Sequence, residues 1–310
     1  MNTRHKVSRI GIALAGVLAL GLTACASDGA SDTTVDVNGG ESAAPAEGGT
    51  LERLQEEGKV VLAVADERPY SWVEGGEPMG ATVAMHKEIF AGLGIDEIEV
   101  VEVDWNSLIP GLNAGRFDAV SAGMSILPDR CEQAAFSDPE IMYTTTLMVA
   151  EGNPKGVQNL DDVAASDGDV KLATLSGGIE EGYADALGIT DTIKVDNAQA
   201  GMEVVQSGRA DAFAMTAISL NWMVENASNP GVETTEAFVQ ELDGVAQIGA
   251  GSTVFRQDDT DLLEAYNAEL AKITADSDTY LSFVGEYGFT AENLPPADLT
   301  TEQLCAGDLG

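Results

Sequence analysis

Few side chains in this chain are of the types that enzymatic and metal chemistry usually needs. The 310 residues include two histidines and three cysteines. They contain no Ser-His-Asp set, no phosphate-binding P-loop and no CxxC pair. Removal of the N-terminal leader described below leaves His86 as the single histidine, which excludes a multi-histidine metal site. The sequence therefore favours ligand binding over catalysis, with no catalytic residue, metal or cofactor.

The charge of the chain limits its partners. It has 52 Asp and Glu against 15 Lys and Arg, a formal net charge of −37. Binding to phosphates needs clustered Lys and Arg, so we expect no nucleic-acid partner and no docking on an anionic membrane surface. An acidic surface suits an exported protein in a salty medium, where ions screen the self-repulsion.

A short internal repeat indicates where a ligand would bind. Residues 115–119 (GRFDA) recur as residues 208–212 (GRADA), each after a predicted helix and before an apolar strand. The strands lead into loops at residues 121–125 and 216–219. Ligands of open α/β sheets bind beyond the carboxyl ends of the strands. The repeat therefore predicts two α/β lobes of similar design whose loops face a common ligand.

Helices and strands alternate along the rest of the chain, which predicts the α/β class. His86 lies in a predicted amphipathic helix, where we expect it on the flank. The predicted helices are residues 51–57, 82–93, 108–114, 160–166, 179–187, 198–207, 262–273 and 279–287, and the predicted strands include residues 60–65, 97–103 and 170–174.

The N-terminus has the pattern of an export signal. Basic residues within 4–9 precede an apolar run at residues 10–22, which is too short to span a membrane comfortably. The run ends in LTAC at residues 22–25, which resembles the lipobox of bacterial lipoproteins. We expect a signal peptide at residues 1–24 and lipidation of Cys25, anchoring the protein to the outer face of the cell membrane. The alternative is an ordinary signal peptide with a chance cysteine.

Two further features follow from export. The acidic residues 26–49 contain no aromatic or basic side chain, so we expect a disordered tether. Cys131 and Cys305 are the remaining thiols, and an oxidising exterior favours a disulfide between them that clamps the C-terminal tail. Two buried free thiols are the alternative.

The loops around the first GRFDA copy carry a family resemblance. Residues 106–118 (NSLIPGLNAGRFD), 122–130 (AGMSILPDR) and 136–139 (FSDP) resemble extracytoplasmic solute-binding proteins of the polar amino acid and opine uptake class, which serve ABC importers. The likeness covers residues 51–310. The Arg130-Cys131 pair and the tail at residues 304–307 (LCAG) are similar to the members that bind ectoine and hydroxyectoine.

The resemblance implies a type II periplasmic-binding-protein-like fold. Two lobes joined by two hinge strands would close on the ligand like a trap. Lobe one would be residues 50–148 plus 250–310, and lobe two residues 149–249. The implied partners are a small ligand and the permease of an ABC importer, with the protein itself a monomer.

The resemblance also implies the residues that hold an anionic group. Arg130 stands where the family binds the ligand carboxylate, through paired charge-assisted hydrogen bonds. Gly123 and Ser125 would add contacts from the same loop. Gly178 and Ile179 open a lobe-two helix, and their N–H groups would face the anion. The alternatives are a surface ion pair for Arg130 and plain helix capping for the other two.

The remaining predicted ligand residues are aromatic or differ from the family pattern. Trp105 and Tyr70 would form aromatic walls. Amino-acid binders usually have an aromatic where this chain has Glu67, and an ammonium-binding Asp where it has Thr216. We therefore expect a carboxylate in lobe one and none in lobe two. Glu67 would match the cation of a zwitterion such as ectoine.

Two open points concern the aromatic wall. Ectoine-binding relatives tend to complete an aromatic box at the position of Ser125, so some other residue must fill that space or the ligand differs. Trp72 lies two residues after Tyr70 and would face the same side of an extended segment.

Alternative functions stay open at this point. A polar or cationic amino acid could replace ectoine as the ligand. A dehydratase-type enzyme can use the same fold, although Glu67 is the only obvious acid in the cleft. A sensor ectodomain would need a membrane span and a cytoplasmic domain, which this sequence does not predict.

Overall fold

The computed structural model describes residues 49–228 and 231–307. The predicted signal peptide, the predicted lipidation site Cys25 and the predicted tether, apart from Gly49, lie outside these described residues. Within them, no helix combines the length and the apolar composition that crossing a membrane requires.

The helices and strands alternate along the described residues, as predicted, with ends within three residues of the predicted ones. The helices are α1 (Thr50–Glu57), α2 (Ala81–Gly92), α3 (Leu108–Asn113), α4 (Pro128–Cys131), α5 (Leu160–Ala165), α6 (Ile179–Ala186), α7 (Ala198–Gln206), α8 (Ala217–Asn226), α9 (Thr260–Ile273), α10 (Ser277–Val284) and α11 (Thr301–Ala306). The strands are β1 (Lys59–Val64), β2 (Trp72–Glu74), β3 (Glu77–Met79), β4 (Glu97–Glu102), β5 (Ala119–Ser125), β6 (Ala135–Phe136), β7 (Ile141–Tyr143), β8 (Thr145–Ala150), β9 (Leu172–Leu175), β10 (Ile193–Val195), β11 (Ala212–Thr216), β12 (Val232–Thr234), β13 (Glu241–Leu242), β14 (Val245–Ala246) and β15 (Gly249–Phe255).

Two sheets are built on the same plan. In the first, the strand order is β4-β1-β5-β15-β6, with β7 also paired to β15. In the second, the order is β10-β9-β11-β8-β12. Each sheet has three parallel strands followed by an antiparallel one, β15 or β8. This arrangement confirms the predicted two-lobed α/β class, and we call each sheet with its helices the first or second lobe.

The repeated aspartate has the same structural role in both lobes. Asp118 accepts a hydrogen bond from the Val61 N–H at 2.9 Å and donates its own N–H to the Val61 carbonyl at 2.8 Å. Asp211 makes the same two bonds with Lys171, both at 2.8 Å. The aspartate of each GRxDA motif therefore ties the third parallel strand of its lobe, β5 or β11, to the start of the first parallel strand, β1 or β9.

The chain passes between the lobes at two places. It leaves β7 of the first sheet, and one residue later, after Thr144, it enters β8 of the second. It returns at Gly249, where β15 begins. The boundary predicted at residues 148 and 149 falls inside β8. Backbone pairing with β11 and β12 holds the whole of β8 in the second sheet, so the crossover comes earlier.

The C-terminal helix is fixed to the first lobe. Cys131 at the end of α4 and Cys305 in α11 form a disulfide. Leu304 beside it is 2% exposed and packs in the same apolar cluster as Phe136 and Val254. The tail therefore rests on the body of the lobe through covalent and apolar contacts.

His86 is fully buried, so its expected place on the helix flank is wrong. Its Nε2 lies 2.6 Å from Thr253 Oγ1, which in turn lies 3.0 Å from the Tyr266 hydroxyl. Tyr266 donates to Glu140 at 2.8 Å. Burial lowers the pKa of His86 to about 3, so the ring is neutral and serves the packing of the first lobe.

Candidate ligand-binding site

A small cavity lies between the two lobes, beside the carboxyl ends of their parallel strands. Its volume is about 20 Å³, close to the space that one water molecule needs. Eight of the nine predicted ligand-binding residues line it, and Arg130 is the exception. The lining consists of Glu67, Tyr70, Trp105, Gly123, Ser125, Tyr143, Leu175, Gly178, Ile179, Glu180, Met215 and Thr216.

Glu67 follows β1 and reaches across to the second lobe. Its Oε1 accepts a hydrogen bond from Ser219 Oγ at 2.8 Å and lies 3.3 Å from Thr216 Oγ1. Burial raises the pKa of Glu67 to about 7, and the charge of Glu180 adds to this rise. The bonds from Ser219 and Thr216 oppose it. The carboxyl is therefore poised near neutrality and gains hydrogen bonds where the two lobes meet.

Tyr70 and Gly123 form a close-packed wall in the first lobe. The Tyr70 ring is 1% exposed and packs edge-on against Phe289, with ring centroids 5.3 Å apart. A Cβ on Gly123 would lie 2.6 Å from Tyr70 Cδ1, and the Gly123 φ is +55°. Only glycine fits there without moving the ring. The buried Tyr70 hydroxyl makes no hydrogen bond of good geometry within the described residues. The Thr216 side chain lies close enough to lower its pKa slightly, against the rise that burial causes.

Arg130 joins the two lobes from α4. It is 8% exposed, so the alternative of a surface ion pair does not apply. Its Nη1 donates to the Ser125 carbonyl at 3.0 Å and its Nη2 to the Gly177 carbonyl at 2.8 Å. The guanidinium carbon lies 5.7 Å from the centroid of the Trp105 ring. The cation thus lies just behind the cavity wall, with backbone carbonyls rather than carboxylates as its hydrogen-bond acceptors.

The second lobe meets the first at the start of α6. The Trp105 Nε1 donates to the Gly177 carbonyl at 3.1 Å, the same oxygen that Arg130 contacts. The Gly178 N–H donates to the Leu175 carbonyl at 3.0 Å and is therefore already occupied. Of the two N–H groups predicted to face an anion, Ile179 remains the better candidate.

Glu180 corrects the expectation that the second lobe has no carboxylate in the cleft. It lies in the first turn of α6, is 2% exposed and lines the cavity. Thr145 Oγ1 donates to it at 3.3 Å. Burial raises the pKa of Glu180 to about 7, whereas the nearby charge of Arg130 lowers it. Its position directly after Ile179 was the sequence signal that could have identified it.

Tyr143 fills the space beside Ser125 that the sequence left open. It ends β7, lines the cavity, and donates a hydrogen bond from its hydroxyl to Ser125 Oγ. Burial raises the pKa of Tyr143, so the phenol stays protonated. Tyr143 thus adds a third aromatic wall to Tyr70 and Trp105.

Trp72 does not line this cavity. Its ring packs against Trp222 at 6.1 Å and Tyr287 at 6.0 Å, with the Arg68 guanidinium 5.1 Å from its centroid. Trp222 and Tyr287 line a larger crevice of about 540 Å³ beside the crossover segments. That crevice contains none of the predicted ligand-binding residues, so the small cavity remains the candidate site.

The side chains of the described ranges do not form a metal centre. Within residues 49–228 and 231–307, no group of three or more His, Cys, Asp or Glu side chains is placed to hold a metal ion. The polar groups of the cavity are instead two carboxyls, hydroxyls and a nearby guanidinium. Such a set suits an organic ligand that carries both charges.

Comparison with known proteins agrees with the two-lobed fold. Residues 60–284 match the bacterial extracellular solute-binding proteins, family 3. A probable amino-acid ABC transporter periplasmic-binding protein of Sinorhizobium fredii, y4tE, is 32% identical over 266 residues, covering 83% of this chain and 86% of its own length. The arginine-binding extracellular protein ArtP of Bacillus subtilis is 28% identical over 213 residues, which cover 67% of this chain and 78% of ArtP.

Solved structures extend the comparison. EhuB in complex with hydroxyectoine shares 32% identity with a TM-score of 0.74, covering 83% of this chain and 97% of that one. The ancestral amino acid-binding protein AncCDT-1, a precursor of cyclohexadienyl dehydratase, shares 25% identity with a TM-score of 0.67. The match covers 77% of this chain and 99% of AncCDT-1. From its sequence match and its two-lobed structure, the chain belongs to family 3 of the bacterial extracellular solute-binding proteins.

Proposed function

We propose that this protein is the substrate-binding protein of an ABC importer and that it captures a small zwitterionic compatible solute, ectoine or hydroxyectoine. One observation carries the proposal. The Glu67 carboxyl lines a cavity with three aromatic walls, and the Arg130 guanidinium lies just behind one of these walls, 5.7 Å from the centroid of the Trp105 ring. Such a site matches a delocalised cation at one end of the ligand and a carboxylate at the other.

The mechanism that we propose is closure of the two lobes. Ligand would first bind the first lobe, through Glu67, Arg130 and the aromatic walls. The second lobe would then add contacts from Ile179 and Thr216. Hydrogen bonds that already cross the cavity, such as Ser219 to Glu67, exist only when the lobes are together. A cavity of about 20 Å³ holds one water molecule, so the ligand-bound closed form would leave more room between the lobes than this one does. The ligand would shift the population toward that form through its higher affinity for it, and the permease would recognise it.

A second candidate ligand is a polar or cationic amino acid. The presence of Glu180 favours it, since two carboxyls in one cavity can balance an additional positive charge. The similarity to ArtP points the same way. An enzyme of the dehydratase type is a more distant alternative on this fold, and the dehydratase precursor among the similar structures is itself a binding protein.

The location that we propose rests on residues outside the described structure. The apolar run and the LTAC sequence at residues 22–25 support export, cleavage and lipidation of Cys25. The protein would then be held at the outer face of the cell membrane, as a monomer delivering ligand to its permease. Mass spectrometry of the membrane fraction would detect the lipid on Cys25, and an unmodified secreted chain would contradict the anchor.

A thermal-shift panel on residues 50–310 tests the ligand assignment. The ligands are ectoine, hydroxyectoine, glycine betaine, and polar and basic amino acids. Ligand at about 100 times its dissociation constant adds about 2.7 kcal/mol of stability, which is easily seen. A selective shift with the ectoines supports the proposal, and a selective shift with an amino acid replaces ectoine by that ligand.

A further inference from the structure

We propose that Glu180 is a hydrogen-bond donor of the ligand site. It would hold a proton when a zwitterion is bound and donate it in a hydrogen bond to the ligand carboxylate, while Glu67 stays ionised against the ligand cation. This inference rests on the proposed function and adds to it a role for a second carboxyl. It makes capture of the ligand depend on a single proton in the cavity.

The position of Glu180 gives it access to the anionic end of a ligand. It is 2% exposed, lines the cavity, and lies in the first turn of α6 beside Ile179. Its side chain accepts a long hydrogen bond from Thr145 Oγ1 at 3.3 Å and interacts with its own backbone N–H. A ligand carboxylate placed between Ile179 and Arg130 would therefore lie next to Glu180. Two ionised carboxylates in contact repel each other, whereas a protonated one donates to the other.

The charges around Glu180 lead to the same conclusion. The titratable groups that act on it or are acted on by it are Arg130 from α4, Glu67 after β1, Tyr143 on β7 and Tyr183 on α6. Arg130 is the one cation in this set. With both carboxyls ionised the group has a net charge of about −1, which a neutral zwitterion does not offset. With one proton on the two carboxyls, the group and the ligand are both neutral.

Hydrogen bonding decides which carboxyl keeps the proton. Glu67 lies against the hydroxyls of Ser219 and Thr216, at 2.8 Å and 3.3 Å, and these donors favour its ionised form. Glu180 has its own backbone N–H and one long bond from Thr145, at 3.3 Å, and no donor from the opposite lobe is among its hydrogen bonds within the described residues. The charge of Arg130 favours ionised Glu180 in the empty cavity, but a ligand carboxylate on Arg130 would offset that charge. The proton therefore goes to Glu180 when the ligand binds.

The pH dependence of the ligand affinity follows from the direction in which the pKa values of Glu67 and Glu180 are shifted. Burial raises the pKa of both carboxyls to about 7. Ligand needs ionised Glu67, so affinity falls as the pH drops below neutrality. It also needs protonated Glu180, so affinity falls by about tenfold per pH unit above neutrality. The two carboxyls titrate as a coupled pair, and the affinity profile is bell-shaped with its maximum near neutral pH.

Calorimetric titration with the zwitterion that gives the largest thermal shift, between pH 5 and pH 9, tests the role of Glu180. In the wild-type protein we expect affinity to fall on both sides of neutrality. Glu180→Gln keeps a donor but cannot ionise, so its affinity should not fall between pH 7 and pH 9. Glu203→Gln, which removes an exposed carboxylate on α7, is the matched control and should behave like the wild type. An equal alkaline loss in Glu180→Gln and in the control overturns the inference.

Proton counting gives a second measurement on the unaltered protein. Titration in buffers of different ionisation enthalpy should show proton release on binding at pH 5.5, from Glu67, and proton uptake at pH 9, by Glu180. Release at low pH without uptake at high pH overturns the role of Glu180 and leaves the binding function intact. If no zwitterion of the panel binds at any pH, the proposed ligand class fails, and this inference fails with it.

Discussion

The two lobes supply matching halves of the cavity from equivalent positions of their sheets. The first lobe gives a carboxyl after its first parallel strand, Glu67 after β1, and a hydroxyl at the end of its third, Ser125 on β5. The second lobe gives Glu180 after β9 and Thr216 at the end of β11. The sequence repeat thus extends from the GRxDA turns to the polar groups of the site.

The halves differ in where their carboxyls find hydrogen-bond donors. Glu67 lies against Ser219 and Thr216, which belong to the opposite lobe. Glu180 accepts from Thr145 of its own sheet. The carboxyl of the first lobe therefore gains these partners only when the lobes are together, whereas that of the second lobe keeps its partner in either state. One half of the site depends on closure and the other half is preorganised.

Among the substitutions that test this difference between the two halves, loss of the charge on Glu67 should lower the ligand affinity most. Glu67→Gln removes the counter-charge of the ligand cation but keeps an amide oxygen that can accept the bonds from Ser219 and Thr216. We expect affinity to fall by at least about 100-fold, with the fold intact. Calorimetry measures the affinity, and Glu77→Gln, which removes an exposed carboxylate on β3, is the control for charge removal. An unchanged affinity would remove Glu67 from the site.

Substitution of Arg130 should give the next largest loss of ligand affinity. Arg130→Lys keeps the positive charge but cannot reach both the Ser125 and Gly177 carbonyls in a fork. We expect affinity to fall by about tenfold to 100-fold, chiefly through faster dissociation, since the contact to Gly177 joins the lobes. Stopped-flow fluorescence would measure the two rate constants. A slower association with an unchanged dissociation rate would contradict this role.

The two glycines of the site test how tightly each half is packed. Gly123→Ala places a Cβ 2.6 Å from Tyr70 and at a φ of +55°, so we expect a loss of about 1–3 kcal/mol of stability. Gly178→Ala places its Cβ 3.1 Å from the Leu175 carbonyl at a φ of −73°, and should cost less. Chemical denaturation compares the two variants. Equal losses would show that the halves are packed alike.

Substitution of the repeated aspartates should change the stability but leave the ligand affinity unchanged, since neither side chain lines the cavity. Asp118 is 8% exposed and lies 2.5 Å from an Arg53 nitrogen and 3.7 Å from an Arg256 nitrogen. Asp211 has a Lys155 nitrogen at 3.8 Å and is more exposed. Asp118→Asn should therefore lower the free energy of unfolding by about 1–3 kcal/mol and Asp211→Asn by less than about 1 kcal/mol. The reverse order in urea unfolding would contradict this difference.

Local sequence signals, which act over a few residues, account for the helix ends and strands that could be predicted. Gly115 and Gly208 end their helices with the same φ of +69°, and this turn is encoded within a few residues. The apolar strands after them follow from the same local pattern. The loops predicted at residues 121–125 and 216–219 are wrong, because residues 121–125 belong to β5, residue 216 ends β11 and residues 217–219 begin α8. For Arg130, Trp105 and Glu67, the resemblance supplied the expected place in the cleft. The structure places Trp105 and Glu67 in the wall of one cavity and Arg130 behind it.

Two cavity residues were missed because their positions depend on long-range pairing. Tyr143 reaches Ser125 because β7 pairs with β15, a strand far along the chain. Glu180 turns inward because α6 packs its first turn against the first lobe, and helix periodicity alone did not distinguish Glu180 from the more exposed Glu181. His86 was placed on the flank for the same reason, since the partner that buries it lies on β15.

The sequence by itself determined the α/β class, the two-lobed plan and the family, because periodicity, turn glycines and motif spacing act over a few residues. Only the tertiary structure decided which side chains share the cavity, that it holds two carboxyls instead of one, and that a tyrosine completes its aromatic wall. Those features depend on which strands and helices meet, and the pKa of a carboxyl depends on its burial there. Neither property belongs to any segment of the chain alone.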